Sequence, residues 1–204
     1  TQFIFMPGVP YEMKPMFLEG ALPKILELQG EPSLHIVKTT LLTTGIPEST
    51  LFQKLGNLDE ILGGAQLAFL PSPGGVKLRV TVSDASRETA VNKLMEIEQK
   101  IRGRAGRFIF GKGEETLSEV VGRMLKERGQ TISIAESCTG GGIANQITNV
   151  PGSSTYFERA VVSYSNASKV EILHVDEDLI AKHGAVSEEV AVEMAQGIRG
   201  ISGT

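Results

Sequence analysis

The stretch Ile132–Ile143, ISIAESCTGGGI, runs from a short apolar segment through Ser137, Cys138 and Thr139 into three consecutive glycines. The pattern predicts a strand that stops at Ser137 and a helix that opens on the glycines. Such a strand presents the Ser137 hydroxyl at the carboxyl edge of a sheet, where open α/β sheets bind ligands. Gly140, Gly141 and Gly142 allow close approach of the main chain to a ligand, with helix N-terminal amides aimed at negative charge. The run has neither the G-x-G-x-x-G spacing of a dinucleotide site nor the Gly-Lys-Ser/Thr ending of a Walker loop. Two readings remain: a tight strand-to-helix turn, or a nucleophile beside an anion cradle.

Outward from this stretch, strands and helices alternate. Upstream, Leu117, Val120, Val121, Met124 and Leu125 follow helical spacing, and Gly129 closes that helix. Downstream, the glycine-opened helix runs to Asn149 and Pro151–Ser154 forms a loop. A strand follows over Ala160–Tyr164, then a helix from Asn166 to His174 and a short one over Asp176–His183. Gly184 ends the short helix, and Ser187 caps a last one over Glu188–Arg199. This alternation predicts a parallel or mixed sheet covered by helices.

The region from Ser33 to Phe110 has a different texture. LHIVKTTLLTT reads as a long strand, and a short helix runs from Pro47 to Gly56. AQLAFLPS and VKLRVTVS form a hairpin around Pro73-Gly74-Gly75. Ser86 caps a helix to Arg102 with Ala90, Leu94, Ile97 and Ile101 on one face, and RFIF is a final strand. These elements make a small α+β unit. Before them, Thr1–Phe5 reads as a strand and Tyr11–Leu28 as a helix with Leu18, Leu22, Ile25, Leu26 and Leu28 on one side, broken by Gly30-Glu31-Pro32. The fold class is therefore α/β and α+β, divided at 1–32, 33–110 and 111–204. A strand already inside a fold at residue 1, and no closing element after Gly200–Thr204, give the expectation of a fragment.

Composition narrows the class. The chain has 204 residues, 41% hydrophobic and 22% charged, the balance of a water-soluble globular protein. No run approaches the roughly 18 apolar residues of a membrane span, and no signal peptide opens the sequence, so the expected location is cytoplasmic and no membrane is a partner. A formal charge of −4 argues against an extended nucleic-acid footprint while leaving a local basic patch open. Cys138 is the sole cysteine, which excludes an internal disulfide and fits a reducing compartment.

Two strand ends carry convergent polar groups: Ser137 and Thr139 after one, Tyr164, Asn166 and Lys169 after the other. If the strands are neighbours, these groups meet. Lys169 falls in the first turn of its helix, where the positive end of the dipole disfavours a cation and readies a lysine to act as a base. A serine beside a neutral lysine is an activated nucleophile. Cys138 competes for that role by intrinsic reactivity; strand alternation turns it away from Ser137, so one of the two is buried, and Ser137 is assigned to the pocket. Glu136 either orients the site lysine or pairs with a structural cation. His35, His174 and His183 lack ligand-like spacing, and no metal is assigned.

The segments AESCTGGGIANQITNVPGSSTYFERAVVSYSNASKVEILHV (135–175) and HGAVSEEVAVEMA (183–195) closely resemble the CinA family, the competence/damage-inducible proteins. From about Glu114 onward the chain is similar to that family's C-terminal domain. The resemblance implies a nicotinamide-nucleotide amidase that converts nicotinamide mononucleotide to nicotinate mononucleotide and ammonia. Ser33–Phe110 resembles the family's KH-like domain, and FMPGVPYEM the tail of its N-terminal, molybdopterin-binding-like domain, which is associated with ADP-ribose pyrophosphatase activity.

The same resemblance sets the expected limits. Most of the N-terminal domain is missing, so ADP-ribose cleavage is not expected. The family's Gly-Ile-Ala-Gly-Pro-Gly-Gly loop would follow Thr204, and without it these residues alone are expected to be inactive. No G-x-x-G clamp stands between short helices of the KH-like region, which argues against RNA binding. The implied mechanism uses Ser137 as nucleophile, Lys169 as base and Tyr164 as proton relay, with no cofactor. Amides of Thr139–Gly141 would hold the oxyanion. Gly140–Gly142 or Ser153-Ser154 would hold the 5′-phosphate, and Asn166 would contact substrate. The alternatives are attack by a base-activated water and, in another class, an inactive assembly or nucleic-acid-binding module. The expected partners are a small nucleotide substrate and further copies of the chain, as a homodimer or higher homo-oligomer.

Overall fold

The computed structural model describes residues 3–29, 34–72 and 74–204. They fall into two compact units, Thr1–Thr40 with Gly45–Arg107 and Leu41–Thr44 with Phe108–Thr204.

In the first unit, α1 (Pro10–Pro15), a π-type turn (Met16–Ala21) and α2 (Leu22–Gln29) occupy the predicted N-terminal helix. The winding changes just before Pro23, which has no amide hydrogen for a helical bond. Its predicted apolar side is not buried: Leu18, Leu26 and Leu28 are exposed. Phe3–Phe5 do not form the predicted strand, because no ladder partner receives them among the described residues. Thr1, Gln2, the Gly30-Glu31-Pro32 breaker, Ser33 and Pro73 lie outside the described residues.

Next come β1 (His35–Thr43), α3 (Glu48–Leu55), α4 (Leu58–Leu62), β2 (Gln66–Ser72), β3 (Gly75–Asp84) and α5 (Arg87–Ala105). The hairpin pairs from Gln66↔Thr81 to Ser72↔Gly75, as its sequence predicts. Val76, Leu78, Val80 and Val82 alternate into the core of this unit, and Ala90, Ile97 and Ile101 of α5 are buried with them. The unforeseen element is α4. Its five residues are too few to show a period, yet Asn57 caps it by accepting the Asp59 amide at 3.1 Å.

The second unit begins with β4 (Ile109–Lys112), antiparallel to the end of β1 through Leu41↔Lys112 and Leu42↔Gly111. It starts two residues later than the predicted RFIF strand. In the first unit the strands run in the order β2-β3-β1. A capping box between Thr116 and Glu119 opens α6 (Leu117–Arg128), and Gly129 closes it. Then follow β5 (Ile132–Glu136), α7 (Gly142–Thr148), β6 (Phe157–Val162), α8 (Asn166–Leu173), α9 (Glu177–His183) and α10 (Glu188–Ser202). β5 and β6 pair in parallel, with Ile134↔Ala160 and Glu136↔Val162. β6 lies earlier than predicted because Phe157 already joins the ladder.

This two-stranded sheet has an apolar cluster on each face. Ile134 and Ala160 pack with Ile147 and Tyr156. Ala135 and Val161 pack with Leu173, Val175, Ile180, Val190, Met194 and Ile198. α10 crosses α8 closely at Gly197, where a Cβ would sit 2.0 Å from the Leu173 carbonyl oxygen.

Strand alternation turns Glu136 to the Ile134 side, toward α7. Its carboxylate is 1% exposed and accepts the amides of Gly141 at 3.0 Å, Ile143 at 3.1 Å and Ala144 at 2.8 Å. The Thr139 side chain adds a further hydrogen bond. The carboxylate itself contacts no lysine and no other cation among the described residues. It is an internal anion at the start of α7, where amides and dipole favour negative charge. Burial pushes its carboxyl up, but the hydrogen bonds from Thr139, Ala144, Ile143 and Gly141 outweigh burial and hold it below the usual carboxylate range.

Two predictions follow from this packing. Gly197→Ala should destabilise the second unit by about 3 kcal/mol, since the clash is with backbone and cannot be relieved by a rotamer change; urea unfolding measures it. Because the folded state lowers the Glu136 pKa, its stabilisation is complete above the unfolded value. It is lost as pH falls from there through the folded value. The stability gap between wild type and Glu136→Gln should therefore be constant from pH 8 to 6 and shrink below the reference value of 4.5.

Candidate active site

Parallel pairing brings the carboxyl ends of β5 and β6 side by side, and the Ser163 amide donates to the Glu136 carbonyl at 2.8 Å. Ser137 is the next residue after β5. Beyond β6, Ser165 caps α8 by accepting the Ser168 amide at 3.1 Å, which fixes Lys169 in the first turn. The Lys169 side chain runs back under the strand ends and is 1% exposed. Its Nζ lies 3.1 Å from Ser137 Oγ, 2.9 Å from the Ser163 carbonyl and 3.3 Å from the Tyr164 carbonyl. Three acceptors match the three N–H bonds of an ammonium. As a neutral amine, the same nitrogen keeps two N–H bonds for the carbonyls and points a lone pair at the Ser137 hydroxyl.

A cavity of about 270 Å³ opens beside this pair. Ser137, Cys138 and Thr139 line one part of it and Ala185, Val186 and Met194 another. Its wall is mostly aliphatic, with Ser137 and Thr139 at the turn and Ser187 across from them as its hydroxyl-bearing residues.

The predicted site residues divide. Ser137, Lys169 and Thr139 come together. Tyr164 joins through its carbonyl: the residue is 74% exposed and its phenol makes no hydrogen bond to Lys169 or Ser137, unlike the relay expected from sequence. Cys138 is not buried behind Ser137, and both line the cavity. Alternation ends with the strand at Glu136, and Glu136 itself is the buried neighbour of Ser137.

The glycine amides do not form the open cradle predicted. Gly140 donates to the Ser137 carbonyl at 3.0 Å, Gly142 to the Thr139 carbonyl at 2.9 Å, and Gly141 to Glu136. Gly140 and Gly141, at φ 59° and 96°, serve the tight turn, and the Glu136 carboxylate takes the place of an external anion. The Cys138 and Thr139 amides carry no internal hydrogen bond among the described residues. Ser153 and Ser154 precede β6 and so lie at the amino end of the sheet, opposite the carboxyl end that Ser137 follows. Asn166 is exposed and lines a different cavity with Ala167, Val170 and Glu171.

His174 ends α8 in a left-handed conformation, and His183 Nδ1 lies 3.2 Å from Glu189. Among the described residues no group of three or more His, Cys, Asp or Glu could hold a metal ion, and no helix is long and apolar enough to cross a membrane. The two carbonyls that hold Lys169 escaped sequence reasoning because main-chain acceptors have no residue signature. The Glu136 clamp did have one: a carboxylate at the end of an apolar strand, just before a helix start.

Residues 114–204 match the CinA C-terminal domain, and residues 38–111 match the damage-inducible protein CinA KH domain. A CinA-like protein of Salinibacter ruber is 45% identical over 202 residues, 98% of this chain and 48% of that protein. Another, from Chloroherpeton thalassium, is 43% identical over 197 residues, 95% of this chain and 46% of that protein. The chain thus spans about half the length of the curated relatives it matches. The crystal structure of the competence/damage inducible protein CihA from Agrobacterium tumefaciens aligns with 36% identity and a TM-score of 0.41, over 42% of this chain and 52% of that one. Two CinA domains matched in order over residues 38–111 and 114–204, with similarity to CinA-like proteins over nearly the whole of this chain, show that the chain belongs to the CinA family.

Proposed function

We propose that the second unit carries a nicotinamide-nucleotide amidohydrolase site that converts nicotinamide mononucleotide to nicotinate mononucleotide and ammonia. The observation that carries this reading is the buried Lys169 amine 3.1 Å from Ser137 Oγ, on a serine that lines a mostly aliphatic cavity. Family membership supports it. The substrate follows from the resemblance of the Ser137 and Lys169 segments to the family's amidase domain.

In this scheme neutral Lys169 takes the Ser137 proton as Oγ attacks the carboxamide carbon. The carbonyl π pair moves to oxygen, where the Cys138 and Thr139 amides are the nearest uncommitted donors. One well-placed donor of this kind contributes roughly 3–4 kcal/mol. When the tetrahedral species collapses, the C–N bond breaks and the Lys169 ammonium returns its proton to the departing nitrogen, which leaves as ammonia. Water, deprotonated by Lys169, then hydrolyses the Ser137 ester and releases the carboxylate. The Ser163 and Tyr164 carbonyls hold Nζ in place through both proton transfers. In the alternative within the same class, Lys169 activates a water directly and Ser137 only binds substrate.

Ammonia release from nicotinamide mononucleotide by the full-length protein tests the reading. Ser137→Ala and Lys169→Met should each lower kcat by 10³-fold or more, with KM changed far less. Full activity in both variants would remove the site. Tyr164→Phe should leave kcat within about twofold, because the phenol faces solvent; a large loss there would restore the relay role.

A further inference from the structure

Glu136 is bound into both halves of the Ser137–Lys169 pair by different atoms. Its carboxylate holds the amides of Gly141, Ile143 and Ala144, which fixes the turn that begins at Ser137. Its carbonyl receives the Ser163 amide at 2.8 Å and the Ser163 hydroxyl at 3.5 Å. The carbonyl of that same Ser163 accepts Lys169 Nζ at 2.9 Å, the shortest of the three Lys169 contacts. The Ser137 turn and the Lys169 seat are therefore set by one residue. Neither Glu136 nor Ser163 lines the cavity, so neither has access to substrate.

We infer that Glu136 is a positioning residue for the proposed amide hydrolysis: it sets the Ser137 Oγ to Lys169 Nζ distance without touching the substrate. The carboxylate matters because it accepts several donors at once. A glutamine in its place keeps the size, but it turns an NH₂ group toward main-chain amides that also donate. At least one of those amides must then move, and Ser137 moves with the turn. An error of about 1 Å in such a pair costs on the order of 100-fold in rate. Substrate binding should change less than the rate, because Ala185, Val186, Ala191 and Met194 of the cavity wall lie on other elements and only Ser137, Cys138 and Thr139 move with the turn.

This inference rests on the proposed amidase reading, and the test separates the two. In the full-length protein, Glu136→Gln and Glu136→Asp are compared with wild type for kcat and KM on nicotinamide mononucleotide. Amide hydrogen exchange is followed without substrate over 137–144, 163–169 and 173–198. The expected result for Glu136→Gln is a kcat lowered about 100-fold with KM within threefold. Exchange should be faster at both 137–144 and 163–169 and unchanged at 173–198. Glu136→Asp, which keeps the charge, should recover part of kcat. A Glu136→Gln kcat within twofold of wild type would overturn the inference, as would equal acceleration of exchange across 173–198, the mark of a general folding defect. If wild type releases no ammonia, the amidase reading fails and exchange alone decides. Faster exchange at 137–144 with none at 163–169 would then mean that Glu136 holds only its own turn.

Discussion

Parallel pairing of two short strands is the constraint on which the rest of the second unit depends. Because β5 and β6 share a direction, the residues just past their carboxyl ends are neighbours, although Ser137 and Lys169 are 32 positions apart in the chain. An antiparallel pair would have sent them to opposite edges. Helices are required on both faces of such a sheet, and the two apolar clusters supply them, which leaves the strand ends as the open place for chemistry.

Burial of Lys169 is the second constraint. A lysine side chain is long enough to reach solvent from almost any surface helix. Here it lies beneath the strand ends instead, held by two main-chain carbonyls and a serine hydroxyl. Main-chain acceptors come from rigid, already ordered backbone, so little conformational entropy remains to be lost when the nitrogen exchanges a proton. The Glu136 clamp does the corresponding work for Ser137. It also fills the anionic position that a Gly-rich helix start would otherwise offer to a ligand, which is why these glycines describe a turn and not a phosphate cradle.

Much of this was legible in the residues. The strand-to-helix stretch at 132–143 and the first-turn position of Lys169 follow from hydrophobic pattern and cap residues, whereas the pairing of their strand ends stood in the sequence only as a condition that the ladder meets. The α3 and α5 helices and the hairpin of the first unit were equally readable, because each carries its own period and its own stop, which the five residues of α4 do not. What escaped has physical reasons. Tyr164 looks catalytic from its place near Lys169, but its ring points outward and its carbonyl makes the contact. Ser153 and Ser154 look like anion ligands in sequence, yet they precede β6 and so belong to the other edge. Cys138 was misread by extending strand alternation one residue beyond the strand. The amphipathic pattern at Leu18–Leu28 predicts a buried face that the described residues do not provide.

The central claim is that Ser137 Oγ, activated by Lys169, forms a covalent bond to the substrate carbonyl. Rapid quenching of the full-length protein with nicotinamide mononucleotide under single-turnover conditions, followed by peptide mass spectrometry, tests it most directly. The account predicts a transient adduct on the Ser137 peptide with the mass of the nucleotide less ammonia, absent from Ser137→Ala. Ammonia formed in a full turnover with that peptide unmodified at every time point would contradict it.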